Sequence, residues 1–136
     1  LGQYAQTSRL IDSSANRGLV VADTNSLVTK AYYDYYLKES PVKDEETDTF
    51  DNLFASILAK EKWDLILFAE PVGAYVNDGF RDMSMADEAI RSDFSSYLKK
   101  LKEQCLAHIP TVYLAGSYLD NYQTAKEAIN TIYQAD

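Results

Sequence analysis

Asp23, Thr24 and Asn25 stand together where the apolar run Leu19 to Ala22 gives way to a helical pattern that opens at Ser26. A carboxylate at the mouth of a parallel strand lies on the edge where open α/β sheets bind their ligands. There it can hold Mg²⁺ against nucleotide phosphates or accept a proton, and Thr24 and Asn25 add short oxygen ligands. The same residue types also cap helices. The cluster is therefore open to two readings, a ligand site at Asp23 and an N-terminal cap. A loop to grip the phosphates would have the form GxxxxGK[ST]. None of the five glycines is followed by Lys, so the 136 residues contain no such loop.

Asn77-Asp78-Gly79-Phe80-Arg81 combines a turn former, an acid, a glycine and an arginine, with Arg91 ten residues further on. Two arginines on a connecting segment can neutralise charge on a transferring phosphate. They can equally form a turn with surface pairs to Asp82, Asp87 or Glu88. Gly116-Ser117-Tyr118-Leu119-Asp120 follows the last apolar run, where a glycine lets the backbone approach a flat ligand. Ser117 or Asp120 as a helix cap is the alternative. Tyr32, Tyr33, Tyr35 and Tyr36 offer aromatic faces on more than one side of a helix, for packing or for stacking on a base. His108 has no acidic or Cys/His companion, and a helix C-terminal position accounts for it.

These residues must be carried by a scaffold, and the periodicities supply one. The runs Leu19 to Ala22, Leu65 to Ala69 and Thr111 to Ala115 are continuous rather than alternating, as in strands covered on both faces. Phe50, Leu53, Phe54, Ile57 and Leu58 recur at helical spacing. So do Ile90, Phe94, Tyr97, Leu101 and Cys105, and then Tyr122, Ala125, Ile129 and Ile132, each set a core-facing stripe. With a helix over 26–37 and another before the first strand, the order alternates as in right-handed crossover units of an α/β layer. Lys38 to Asp51 reads as a charged connector. A second long connector, Glu70 to Asp87, belongs to a lid-like stretch over 70–92.

At 136 residues the chain fits one α/β unit. The net charge of −8 argues against direct phosphate-backbone binding by this segment, since duplex binding draws on Lys and Arg, although an acidic whole can still hold a basic cleft. No membrane span or secretory signal pattern is present. The single Cys105 cannot pair internally and reads as a buried thiol, so a reducing cytoplasm is the natural compartment.

Taken in order, four blocks of the chain resemble the ribosylnicotinamide kinase domain of bacterial NadR-type NAD-biosynthesis proteins. They are Ala22 to Lys30, Tyr75 to Arg81, Arg91 to Phe94 with the Leu98 and Leu101 helix, and Ser117 to Tyr122. The likeness runs from about Leu19 to the C-terminus. It implies a three-layer, parallel-sheet P-loop-kinase-like fold, here incomplete. It also implies ATP and Mg²⁺, a nucleoside substrate, and transfer of the γ-phosphate to the 5′-hydroxyl of ribosylnicotinamide. Carried over, Asp23 is the catalytic strand acid and metal ligand, and Arg81 and Arg91 are phosphate contacts of the lid. Ser117, Tyr118 and Asp78 lie by the nucleotide, with Tyr75, Asn25 and Tyr32 near the substrate.

Asn25 departs from the second Asp found in many relatives. The phosphate loop and its strand would precede Leu1, so this isolated chain is expected to be inactive and the longer parent active. Without that strand the sheet has a gap, to be closed by new strand pairing or self-association. The alternative is a noncatalytic α/β nucleotide-binding or interaction module that keeps the scaffold alone.

Overall fold

Three helix starts in this chain are written as side-chain caps. The computed structural model describes residues 2–14, 18–37, 45–71 and 87–134. They form α1 (Gly2–Ser14), α2 (Ser26–Leu37), α3 (Glu45–Lys60), β1 (Ile66–Ala69), α4 (Glu88–Cys105), β2 (Thr111–Leu114) and α5 (Tyr118–Gln134). The first amides of a helix have no partner within it. At α4 the Asp87 carboxylate accepts from the backbone N–H of Ala89 at 2.8 Å and of Ile90 at 3.2 Å. Asn25 and Ser117 do the same work for α2 and α5.

The described residues divide into two compact units, Leu1–Lys62 with Lys100–Leu106, and Trp63–Lys99 with Ala107–Asp136. In the first, α2 packs on α3, and the buried apolar side chains are Leu27, Ala31, Ile57, Leu58, Leu101 and Leu106. Tyr33 supplies an aromatic seam, its ring centroid 5.5 Å from that of Phe50 and 5.7 Å from that of Phe54. Lys30 crosses the same α2–α3 junction. Its Nζ pairs with Asp34 at 3.1 Å and Asp51 at 3.4 Å, and lies 5.9 Å from the Phe54 ring centroid.

In the second unit β1 and β2 form a parallel pair, with Ile66 opposite Thr111 and Ala69 opposite Leu114. The pair is closed at both ends. Ile66 N–H donates to the carbonyl of Pro110, and Glu70 N–H to that of Leu114, each at 2.9 Å. Phe68 and Tyr113, opposite each other in register, have ring centroids 5.4 Å apart. The Lys99 ammonium of α4 sits over both rings, at 5.7 and 5.3 Å, while forming an ion pair with Glu70. The helix α5 packs on β2.

Four expectations need correction. No strand forms over Leu19 to Ala22, so the sheet among the described residues has two parallel strands where the three apolar runs predict three. A strand exists only where a neighbour takes its backbone groups, and here Leu19 and Val21 are 53% and 73% exposed. The charged connector ends sooner than Asp51, because α3 already begins at Glu45. Asp48 in the first turn complements the helix dipole, so the acidic run is partly helical. The α3 and α5 stripes are core-facing only in part, since Phe50, Leu53 and Tyr122 are exposed and Ala125, Ile129 and Ile132 are half-buried. Cys105 is half-buried rather than buried. Among the described residues no helix is long and apolar enough to cross a membrane.

Burial pulls the Lys30 pKa down, but the hydrogen bond and charge of Asp34, and then Asp51, outweigh it and hold the ammonium above its ordinary value. A raised lysine pKa stabilises the fold fully below the unfolded value of about 10.4 and loses that contribution as pH climbs through the folded value. Lys30→Met should therefore cost on the order of 1 kcal/mol at neutral pH. In urea titrations the gap between wild type and variant should close above about pH 10.4. A gap that stays constant through that range would show that the Lys30 charge contributes nothing.

Candidate functional site

The turn before α2 is built from three consecutive residues with different tasks. Asn25 is the cap: its Oδ1 accepts from the N–H of Leu27 at 3.1 Å and of Val28 at 3.3 Å. Its backbone carbonyl accepts from Val28 and Thr29. Thr24 takes a left-handed conformation with φ 65°, rare for a β-branched residue and worth roughly 1–3 kcal/mol of strain. Asp23 is exposed, and the capping bonds come from Asn25 instead. Of the two readings of this cluster, capping is realised by Asn25, and Asp23 remains a solvent-facing carboxylate.

Sequence reasoning missed a fourth participant. Glu61, directly after α3, accepts through Oε1 from the N–H of Ser26 at 3.3 Å, thirty-five positions back along the chain. With Asn25 and Glu61 together, the first four amides of α2, from Ser26 to Thr29, all have acceptors. Helix N-termini bind phosphate through such amides when they are open. Here they are engaged. No periodicity points from Glu61 to Ser26. The only local sign is an acid at a helix C-terminus, where the dipole disfavours it. Lys99, with its aromatic and Glu70 partners, was likewise not singled out.

The remaining candidates fall in other places. Tyr32 is on α2, 39% exposed, while Tyr33 packs inward. Arg91 is on α4 in the second unit, half-buried, with its Nε closed off from solvent. Ser117 and Tyr118 open α5 in that unit. Ser117 Oγ caps α5 by accepting from the N–H of Asp120 at 3.2 Å, and its hydroxyl donates to Asp120 Oδ2 at 2.9 Å. Asn121 Oδ1 closes the turn by accepting from Gly116 N–H at 2.9 Å. A Cβ at Gly116 would stand 3.1 Å from that of Asp120, so the turn itself fills the space beside the glycine. Tyr118 is 95% exposed. Tyr75, Asp78 and Arg81 lie outside the described residues, as does most of the 70–92 stretch.

Chemically, the first unit presents an acid on a strained, fully capped turn. The second presents exposed aromatics at a capped helix start. Among the described residues no three His, Cys, Asp or Glu side chains converge as a metal-binding group. A family model described as an AAA domain matches residues 2–120. No curated protein and no solved structure matches the chain.

Two substitutions separate the tasks in the turn. Asn25→Ala should lose about 1 kcal/mol of stability and Asn25→Asp should retain most of it, because the acceptor is what the cap requires. Thr24→Gly should gain about 1 kcal/mol by removing the left-handed penalty. Thermal and urea unfolding read both. Equal losses for the two Asn25 variants would rule out capping as the source.

Proposed function

This chain belongs to the AAA domain family, and from that premise we propose that it is part of a nucleoside kinase of NAD biosynthesis. AAA domains are nucleotide-binding, P-loop NTPase-like α/β domains, and they generally bind nucleotide with Mg²⁺. The proposed reaction is attack of the ribosylnicotinamide 5′-oxygen on the γ-phosphorus of ATP. The bond to the ADP oxygen breaks, the hydroxyl proton leaves to solvent or a base, and nicotinamide mononucleotide and ADP result. The proposed compartment is the cytoplasm.

The observation that carries this reading is Asp23, a carboxylate exposed on a strained turn whose capping is done by its neighbour. It is a hard oxygen donor, and Mg²⁺ in phosphotransferases is commonly held by one or two carboxylates plus substrate phosphates. Asp23 fits that minimal requirement. When bound, Mg²⁺ would supply neutralisation of phosphate charge. The protein's own part is positioning and charge stabilisation. Arg81 and Arg91 would contact the phosphates. Ser117, Tyr118 and Asp78 would border the nucleotide, with Tyr75, Asn25 and Tyr32 near the nucleoside. The reading also requires a GxxxxGK[ST] loop, which these 136 residues do not contain, from elsewhere in the same protein.

One observation favours a second reading. The Asn25 and Ser117 side chains are already committed to helix caps, as suits a noncatalytic nucleotide-binding or interaction module.

The deciding experiment assays a protein that joins this chain to its phosphate loop with ATP, Mg²⁺ and ribosylnicotinamide, following nicotinamide mononucleotide. Turnover is expected, with none from the 136-residue chain alone. Arg81→Ala should lower kcat by about 10²–10³-fold with the fold intact. Unchanged turnover would remove Arg81 from the mechanism, and no product from the loop-bearing protein would hand the case to the binding module.

A further inference from the structure

We propose that α5 is a self-association surface, on which a second copy of this chain docks its own α5 antiparallel, about a two-fold axis between Ala125 and Lys126. The proposal stands apart from the kinase reading and needs no nucleotide.

Two adjacent sides of α5 differ in burial. Asn121, Ala125, Ala128 and Ile132 recur at helical spacing and are half-buried, on a helix that packs on β2. Tyr118, Tyr122 and Tyr133 form a second line, 95%, 60% and 57% exposed. At 3.6 residues per turn these three positions fall within about 60° of one another, with Ile129 among them. Tyr122, Ala125, Lys126, Ile129 and Asn130 line an open, predominantly apolar groove along this face. The solvated face of an amphipathic helix ordinarily carries charged and polar residues, whereas tyrosine is enriched in the cores of interfaces.

Three properties of the stripe select a second copy as its occupant, and the first is symmetry. An isologous contact sets the same patch of both chains face to face, so the patch must complement itself under a two-fold rotation. Counted outward from the point between Ala125 and Lys126, Tyr118 meets Tyr133 and Tyr122 meets Ile129 on an antiparallel copy. The small Ala125 at the centre lets the helices approach. The second property is charge. Two copies of a chain carrying −8 repel one another unless they meet where acids are absent. The acids of α5, Asp120 and Glu127, fall by spacing on the side opposite Tyr118, and the charged residue of the groove is Lys126. The third property is area. A tyrosine buries roughly 150–250 Å², so at their exposures the three tyrosines offer about 400 Å² per chain. With Leu119, 68% exposed beside Tyr118, two copies bury on the order of 1,000 Å², the lower limit of a specific interface. The association is therefore weak and concentration-dependent.

The test is sedimentation equilibrium of the full chain from micromolar to millimolar concentration. The average mass should climb toward twice that of one chain. Tyr118→Glu and Tyr133→Lys should each weaken association at least about tenfold, because each sets an uncompensated charge against a tyrosine. Combined in one chain, they set Glu against Lys at both ends of the antiparallel pair and should restore association to within a few-fold of wild type. The two positions lie about 22 Å apart along one helix, so they do not pair within a chain. Glu at the start and Lys at the end of a helix also suit its dipole, so every variant should keep the wild-type helical circular dichroism.

A wild-type chain that stays monomeric throughout overturns the proposal. So does association that neither single variant weakens, which would put the contact on another surface. A double variant as weak as the single ones overturns the antiparallel pairing, since a parallel pair sets Glu against Glu. A monomeric wild type whose α5 amides gain hydrogen-exchange protection only in the loop-bearing protein would give the stripe to another segment of that protein instead.

Discussion

The amides at the start of a helix have no acceptor within it, and the arrangement around Asp23 follows from how α2 meets that requirement. Asn25 turns its side chain back over the second and third amides, and Glu61 arrives from α3 to take the first. Just upstream, Thr24 is left-handed and Asp23 is exposed. The same demand is met at α4 by Asp87 and at α5 by Ser117 with Asp120. In each case a short polar side chain at the boundary decides where the helix begins.

Elements whose cause is local were legible in the sequence. The α2 span, the two later apolar runs that became β1 and β2, the stripe of α4 and the Phe54, Ile57 and Leu58 part of the α3 stripe all followed from spacing. So did the placing of caps in the cluster before α2 and at Ser117 or Asp120, because a cap and its amides lie within three residues of each other. What failed depends on distant partners. The run Leu19 to Ala22 has the composition of a strand but is not paired as one among the described residues, and composition carries no information about a neighbour. The Glu61 bond to Ser26 and the Lys99 cluster over Phe68 and Tyr113 join residues that no window of sequence contains together.

The candidate site is legible to the same degree. Asp23 could be singled out from its position after an apolar run, and the structure leaves it exposed. The roles of Asn25 and Ser117 were left open between cap and ligand, and their side chains are engaged as caps. A cap and a ligand contact draw on the same lone pairs, so a residue type suited to one is suited to the other. Only geometry separates them. Membership of the AAA domain family carries nucleotide binding.

The pairing of β1 with β2 has a consequence for how this chain reaches its fold. Forty-five positions separate Ile66 from its partner Thr111, and the whole of α4 lies between them. The α2–α3 contact joins elements that follow one another directly. Closing a longer loop loses more chain entropy, and contacts distant in sequence form more slowly than local ones. The helical pair therefore assembles early and the parallel pair late. Until that step is complete, the backbone groups that join Ile66 to Ala69 with Thr111 to Leu114 lack their partner strand, and unpaired strand edges are where folding intermediates in general associate.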